Sequence, residues 1–161
     1  MFVINIFLKA QPSSAATSTE ASQKASLKGE EGSKDFSKMR LLLVDDVDIN
    51  RELATMILEA EGFSIETAIN GKEAVDKVSS ADAGYYNAVL MDIQMPIMDG
   101  YEASRAIRAF SDVAKAQIPI VAMTANAFAE DVKKAHDAGM NAHVAKPIDV
   151  ENLMSTLKAL L

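Results

Sequence analysis

The chain has 161 residues, a formal net charge of −7 and no cysteine. Its length suits a single domain, and an apolar fraction of 49% is enough to build a core. The lack of cysteine excludes disulfides and thiolate metal sites, and it fits a reducing compartment such as the cytoplasm. No stretch approaches the roughly 20 apolar residues that a membrane-spanning helix needs, so no membrane partner is expected for this chain itself.

The negative charge is concentrated after residue 38. Residues 1–38 contain five lysines and four acids, so the remaining residues carry a formal charge of −8. An acidic domain without a basic stripe binds the phosphate backbone poorly, so a nucleic-acid partner is not expected. Excess carboxylate suits a site that takes up a hard cation.

The first 38 residues divide into two parts. Residues 1–10 alternate between apolar and polar in strand fashion, which predicts a lone strand. Residues 11–38 are rich in Ser, Ala, Thr, Gly and Lys and offer almost no large apolar side chain to offset the entropy of ordering. We therefore expect a flexible linker at 11–38 and one globular domain at 39–161.

From Met39 onward, apolar runs alternate with helical stretches. The runs predict buried strands at residues 40–45, 63–68, 87–92, 118–123 and 142–145. Helices are predicted at residues 50–61, 72–79, 99 or 100 to 109, 129–138 and 149–160, and Asp149 is a predicted N-cap. This alternation predicts an α/β fold with right-handed crossovers, in which a doubly wound five-stranded parallel sheet carries helices on both faces.

Polar residues stand at the carboxyl ends of four predicted strands. They are Asp45 and Asp46 after the first, Asp92 at the third, Thr124 after the fourth and Lys146 after the fifth. Ligands of doubly wound sheets bind at this edge, so we expect the five side chains to converge. A single aspartate there is more often a helix cap, and a single lysine is usually solvated; the functional interpretation depends on their joint placement.

These residue types suit phosphoryl transfer. Two carboxylates 4 Å apart repel by about 4 kcal/mol at an effective dielectric constant of 20, and a divalent cation relieves that repulsion. Mg²⁺, or Mn²⁺ in its place, takes such oxygen ligands. An aspartate can be phosphorylated as a nucleophile, and Asp92 is the predicted acceptor. Lys146 and the Thr124 hydroxyl can stabilise charge on the phosphoryl oxygens.

Four segments jointly resemble the receiver domain of bacterial response regulators, over residues 40–161. They are LLLVDD at 41–46, VLMDIQMPIMDG at 89–100, VAMTANAF at 121–128 and AHVAKPI at 142–148. The resemblance implies a flavodoxin-like sheet with strand order 2-1-3-4-5. It also implies a phosphoacceptor in a two-component phosphorelay, which catalyses only its own phosphorylation and dephosphorylation.

The resemblance implies a metal site around the acceptor. Asp92 would receive the phosphoryl group from a phosphohistidine on a partner. Asp46 and Asp92 would bind Mg²⁺ together with the backbone carbonyl of Gln94, and Asp45 would act mainly through a metal-bound water. Gln94 and Asn126 match positions that tune dephosphorylation in the family.

The resemblance also implies residues that bind the phosphoryl group and respond to it. Lys146 would bridge Asp92 and the phosphoryl group, with Pro147 following in a cis peptide. Thr124 would move toward a phosphoryl oxygen, and the backbone of Ala125 would contact the group. The switch position, often Tyr or Phe, holds His143, so an aromatic-rotamer readout is in doubt; a half-buried histidine without a signalling role is an equal alternative.

The implied partner is the phosphohistidine helix of a kinase or a histidine phosphotransfer domain. The helix at 50–61 is the expected docking face. Ile49, Leu53 and Met56 are the expected contacts, although core packing would explain some of them equally well.

Two features favour a receiver fused to a kinase. VAMTANAF is similar to such receivers, and MFVINIFLKA at 1–10 resembles the closing strand of a histidine-kinase ATP-binding domain. We therefore interpret the chain as the C-terminal receiver of a hybrid sensor histidine kinase. A free-standing single-domain response regulator would share the same core and remains the alternative.

Two further classes compete with this interpretation. A haloacid-dehalogenase-like aspartyl phosphotransferase would use Asp46 as nucleophile, and Asp46-Val47-Asp48 supplies a DxD at the right strand end, but the residues that follow do not match. A non-phosphorylated interaction module on the same fold is disfavoured because every acid, threonine and lysine position is present. Acetyl phosphate separates the classes by the aspartate that it labels.

Overall fold

Alternating apolar runs and amphipathic stretches form a sheet between two layers of helices in the computed structural model, which describes residues 5–6, 35–126 and 128–161. The strands are β1 Asn5–Ile6, β2 Arg40–Val44, β3 Ser64–Ala68, β4 Ala88–Asp92, β5 Ile120–Thr124 and β6 Ala142–Ala145. The helices are α1 Asp48–Ala60, α2 Gly71–Ser80, α3 Gly100–Arg108, α4 Val113–Ala116, α5 Ala129–Asp137 and α6 Val150–Leu160.

The sheet order is β1-β6-β5-β4-β2-β3, and β2 to β6 are parallel. Counted from β2, this is the predicted order 2-1-3-4-5, so the flavodoxin-like prediction is confirmed. The structure adds β1, which pairs antiparallel with β6 and places Asn5 opposite His143. The remainder of the predicted strand at 1–10 lies outside the described residues.

Two apolar layers hold the helices on the sheet. Leu41 and Leu43 face α1 and α6, where they pack in one cluster with Leu58 and Leu157. Leu42 belongs to the opposite cluster, under α2, α3 and α5. Each fully buried leucine contributes about 1.5–3 kcal/mol through removal of apolar surface from water. None of the described helices is long and apolar enough to cross a membrane.

Several features differ from the sequence-based prediction. Helix α1 begins at Asp48, two residues early, and buries Ala54 and Leu58. The short helix α4 was not predicted because four residues cannot show a helical period. Within the predicted linker, Phe36 forms part of a 3-10 turn and stacks on Phe63 with 4.6 Å between ring centroids, so packing begins three residues before Met39.

Arg108 forms hydrogen bonds with the segments that precede β5 and β6, at the amino-terminal ends of these strands. Its guanidinium donates to the carbonyl oxygens of Gly139 (2.8 Å), Ala116 (2.6 Å) and Ile118 (2.8 Å), and to Asn141 Oδ1 (2.7 Å). Burial lowers the pKa of Arg108. These acceptors precede β5 and β6, so one side chain fixes both segments to α3.

Candidate functional site

Three carboxylates meet at the carboxyl ends of the adjacent strands β2 and β4. Asp45 and Asp46 follow β2, and Asp92 ends β4. Carboxylate oxygens of the three lie within 4.8 Å of one another. Asp45 and Asp92 are 2% and 6% exposed, whereas Asp46 is exposed. A cluster of oxygen donors of this kind fits a Mg²⁺ ion, which prefers carboxylates and retains some of its waters.

Lys146 reaches the carboxylates from the end of β6, two strands away from β4. Its Nζ lies 2.7 Å from Asp45 Oδ2 and 3.1 Å from Asp92 Oδ1. Its peptide bond to Pro147 is cis. Burial alone would lower the pKa of Lys146, but the hydrogen bond to Asp45 and the charge of Asp92 outweigh it and raise the pKa. The ammonium group therefore stays charged at neutral pH.

Burial makes the Asp92 carboxylate more basic. Desolvation raises the pKa of Asp92, the nearby Lys146 opposes that rise, and the charges of Asp45 and Asp46 add to it. Desolvation and two neighbouring negative charges make the ionised form of this carboxylate less stable than it would be in water. A bound cation would favour the ionised form.

Asp45 is fixed by the start of α1. Its Oδ1 accepts the Val47 amide at 2.9 Å, and Asn50 Nδ2 lies 3.4 Å from Oδ2. Arg51 Nη1 donates to the Asp45 backbone carbonyl at 2.7 Å. Sequence reasoning missed Asn50 and Arg51; the available signal was a polar pair in the first turns of the helix that follows the acidic strand end.

Thr124 lies at the same edge, with its hydroxyl bonded to its own loop. Thr124 Oγ1 donates to the Asn126 backbone carbonyl at 2.6 Å and accepts the Asn126 amide at 3.1 Å. A cavity of about 280 Å³ collects the predicted residues from several strands and loops. Its lining includes Asp46, Asp92, Gln94, Thr124, Ala125, Asn126 and Lys146.

His143 lies inside the domain and is not among the residues that line this cavity. It is 3% exposed and sits opposite Ala122 in the sheet. Its strand neighbours Ala142 and Val144 face α1 and α6, so the His143 side chain lies on the other face of the sheet. Burial lowers the pKa of His143, which keeps the imidazole neutral at pH 7.

The three residues predicted for partner docking are on the surface. Ile49, Leu53 and Met56 are 57%, 53% and 68% exposed. Core packing is therefore not what places them on α1. Beside them, an apolar cavity of about 200 Å³ lies between α1 and the segment 146–148, with Leu53 in its wall.

Gly100 packs against the end of the strand that carries Asp92, a contact that the sequence did not predict. An ideal Cβ at Gly100 would lie 2.3 Å from the Asp92 carbonyl oxygen and 3.0 Å from Ile93 Cα. Asp99 caps α3 and forms a capping box with Glu102, and the Gly100 amide donates to the Ile93 carbonyl oxygen at 2.9 Å. Only glycine allows this approach. The sequence showed Gly100 as a helix start and gave no sign of this contact.

The geometry does not favour the alternative of a haloacid-dehalogenase-like phosphotransferase with a DxD motif. Asp48 begins α1, its side chain is 85% exposed, and it pairs with Arg51. It is not part of the carboxylate cluster, which consists of Asp45, Asp46 and Asp92 within the described residues.

Comparisons with known proteins agree with this architecture. The family model described as response regulator receiver domain matches residues 41–158. Hybrid signal transduction histidine kinase L of Dictyostelium discoideum is 36% identical over an alignment of 132 residues, and the match covers 80% of this chain and 8% of that protein. Histidine kinase 1 of Arabidopsis thaliana is 32% identical over an alignment of 157 residues, and the match covers 79% of this chain and 13% of that protein. The chain thus spans a small part of these relatives.

Solved structures show the same fold. The receiver domain of sensor histidine kinase PA1611 from Pseudomonas aeruginosa PAO1, with a magnesium ion coordinated in its active site cleft, has a TM-score of 0.68 at 34% identity. The match covers 76% of this chain and 96% of that one. Chemotaxis protein CheY4 of Vibrio cholerae has a TM-score of 0.68 at 28% identity, and the match covers 76% of this chain and 98% of that one. The chain belongs to the response regulator receiver domain family of two-component systems.

Proposed function

We propose that this receiver domain accepts a phosphoryl group on Asp92 from a phosphohistidine of a protein partner. The observation that carries the proposal is the Lys146 ammonium 3.1 Å from Asp92 Oδ1, at the edge where Asp45 and Asp46 crowd the same carboxylate. In the reaction, an Asp92 oxygen attacks phosphorus and the P–N bond breaks. The imidazole leaves with the electron pair, and an acyl phosphate remains on Asp92.

We infer that the site binds Mg²⁺, or Mn²⁺ in its place. The carboxylates of Asp46 and Asp92 and the backbone carbonyl of Gln94 would hold the ion, and Asp45 would act through a water. The donor set fits because three carboxylates within 4.8 Å face one lysine and keep a net negative charge. When bound, such an ion supplies charge neutralisation at the phosphoryl oxygens.

We propose that the neighbouring residues bind the new phosphoryl group. Lys146 pairs with one phosphoryl oxygen, and the Ala125 amide donates to a second. The Thr124 hydroxyl gives up its 2.6 Å hydrogen bond to the Asn126 carbonyl and donates to the third phosphoryl oxygen. Asn126 and Gln94 line the same cavity as Asp92, where a hydrolytic water would attack the acyl phosphate, and this supports their role in tuning dephosphorylation. His143 takes the switch position as a buried neutral imidazole.

The proposed setting is a receiver of a hybrid sensor histidine kinase in the cytoplasm. The kinase relatives support it, although the chain spans only 8% and 13% of the two described above. In this setting, 1–10 would derive from the kinase ATP-binding domain and 11–38 would link it to the receiver at 39–161, with two contacts crossing these bounds: β1 pairs with β6, and Phe36 packs on Phe63. A free-standing regulator is the alternative, and a native gene product no larger than this chain would favour it.

Labelling at Asp92 tests the phosphoacceptor function directly. Incubation with acetyl phosphate and Mg²⁺ should add the mass of one phosphoryl group to the intact wild-type chain. Asp92→Asn should show no addition, because an amide cannot form the acyl phosphate. Asp46→Asn is the comparison variant. Label that persists in Asp92→Asn and disappears in Asp46→Asn would instead identify Asp46 as the nucleophile.

We propose α1 as the surface that docks a phosphohistidine helix or a histidine phosphotransfer domain. Its apolar side chains at Ile49, Leu53 and Met56 are more than half exposed, and Leu53 also lines the apolar cavity that Lys146 borders. Spacings of four and three residues along a helix present these side chains on one face, as helix-to-helix recognition requires.

Met56→Glu should slow phosphotransfer from a phosphohistidine partner by about tenfold or more, because it places a charge in an apolar contact. Labelling by acetyl phosphate and Mg²⁺ affinity should stay unchanged. Val113→Glu is the matched control, since Val113 is 63% exposed on α4, away from α1. An equal loss in both variants, or a parallel fall in Mg²⁺ affinity for Met56→Glu, would exclude α1 as the docking face.

A further inference from the structure

Two residues outside the strand ends form a wall of the cavity of about 280 Å³ that Asp92 lines, which we call the acceptor cavity. Tyr101, from α3, and Asp131, from α5, line it together with Asp92 and Lys146. The same two residues also line an adjacent groove of about 580 Å³ that opens to solvent. Tyr101 and Asp131 therefore stand between the acceptor cavity and the surface next to it.

Asp131 adds a negative charge to this wall. It lies in the first turn of α5 and is half-buried. Burial raises the pKa of Tyr101, and the charge of Asp131 raises it further, so the field of this carboxylate reaches across the wall to α3. Within the described residues that line the cavity, Asp131 joins Asp46 and Asp92 against a single cation, Lys146.

The charge of Asp131 is separate from the metal cluster. The carboxylates that approach within 4.8 Å of one another are those of Asp45, Asp46 and Asp92. A cation held by those three would leave the Asp131 carboxylate facing whatever anion enters the cavity. Because low-dielectric walls focus the field of a charge into a cleft, one carboxylate there affects the entry of anions.

We propose that Asp131 determines phosphodonor specificity, since its carboxylate at the wall of the acceptor cavity disfavours small dianionic donors. The inference rests on the proposed phosphoacceptor function of Asp92. A protein donor gains its affinity from contacts on α1, so a charge at the cavity wall costs it proportionally less. A small anion has only the cavity to bind, and it experiences the full repulsion.

The test compares Asp131→Asn with Glu130→Gln, which removes the same charge from the preceding residue, exposed on the same turn of α5. The donors are acetyl phosphate, a dianion, and phosphoramidate, whose ammonium group offsets one negative charge. Asp131→Asn should raise the rate of Asp92 labelling by acetyl phosphate about three- to tenfold and that by phosphoramidate less than about twofold. Glu130→Gln should change neither rate.

Two further readouts separate charge from packing. Asp131→Glu keeps the charge and should retain the wild-type preference between the donors. The effect of Asp131→Asn should shrink as salt is added, because the repulsion of an incoming anion by a charged cleft weakens as ionic strength rises. Equal effects of Asp131→Asn and Glu130→Gln, or equal gains for both donors, would overturn the inference. A wild-type chain that takes no label from either donor would overturn the proposed function itself.

Discussion

Lys146→Met should slow the labelling of Asp92 by acetyl phosphate by about 10²–10³-fold, the loss that follows removal of one preorganised electrostatic contact. Lys146 Nζ lies 2.7 Å from Asp45 and 3.1 Å from Asp92. It is the one cation that lines the cavity within the described residues. Without it, the incoming phosphoryl oxygens meet only carboxylates at this side of the site, and the transition state loses its ammonium partner.

The matched control is Lys72→Met, which removes a lysine that is 58% exposed on α2 and paired with Asp76. It should leave the labelling rate unchanged, because an exposed ion pair contributes little. Intact mass measured over time gives both rates. Equal rates for the two variants would show that Lys146 does not act on the phosphoryl group.

Gly100→Ala should lower the free energy of unfolding by about 2–4 kcal/mol, because overpacking forces backbone to move. The new Cβ would lie 2.3 Å from the Asp92 carbonyl oxygen and 3.0 Å from Ile93 Cα. Neither atom can yield by a rotamer change. The strand end that carries the acceptor must therefore shift, and labelling of Asp92 should fall as well. Chemical denaturation and acetyl phosphate labelling measure the two effects.

Gly84→Ala is the control for Gly100→Ala. Gly84 has φ of +83° and open space around the position of a Cβ, so its substitution tests backbone strain alone. That strain costs roughly 1–2 kcal/mol. Labelling of Asp92 should be unaffected. A smaller loss of stability for Gly100→Ala than for Gly84→Ala would show that the helix start relaxes away from β4 without cost.

The sequence allowed the site to be located because apolar strands and their acidic ends obey one topological rule. Strands such as Ala88–Asp92 are buried throughout, so their pattern is unambiguous. Once the sheet is parallel, Asp45, Asp92 and Lys146 must approach one edge, and the structure brings them within hydrogen-bond distance. Local periodicity and a fold rule were sufficient for this part.

The remaining features depend on contacts that no local pattern records. Phe36 stands in a Ser-rich stretch, and its packing on Phe63 joins residues 27 positions apart. The close approach of Gly100 to β4 depends on how a helix start meets a strand. Asp131 reaches the cavity wall through the placement of α5. Each of these requires the assembled tertiary structure, which propensity and spacing do not encode.

The position of Arg108 bears on how the domain tolerates sequence change. Its contacts to Gly139, Ala116, Ile118 and Asn141 lie before β5 and β6, at the end of the sheet opposite the acids. The contacts that stabilise the fold through Arg108 and the side chains of the candidate site thus lie at opposite ends of the sheet. A substitution in the loops beside Asp92 therefore leaves the guanidinium contacts that join α3 to the segments before β5 and β6 in place.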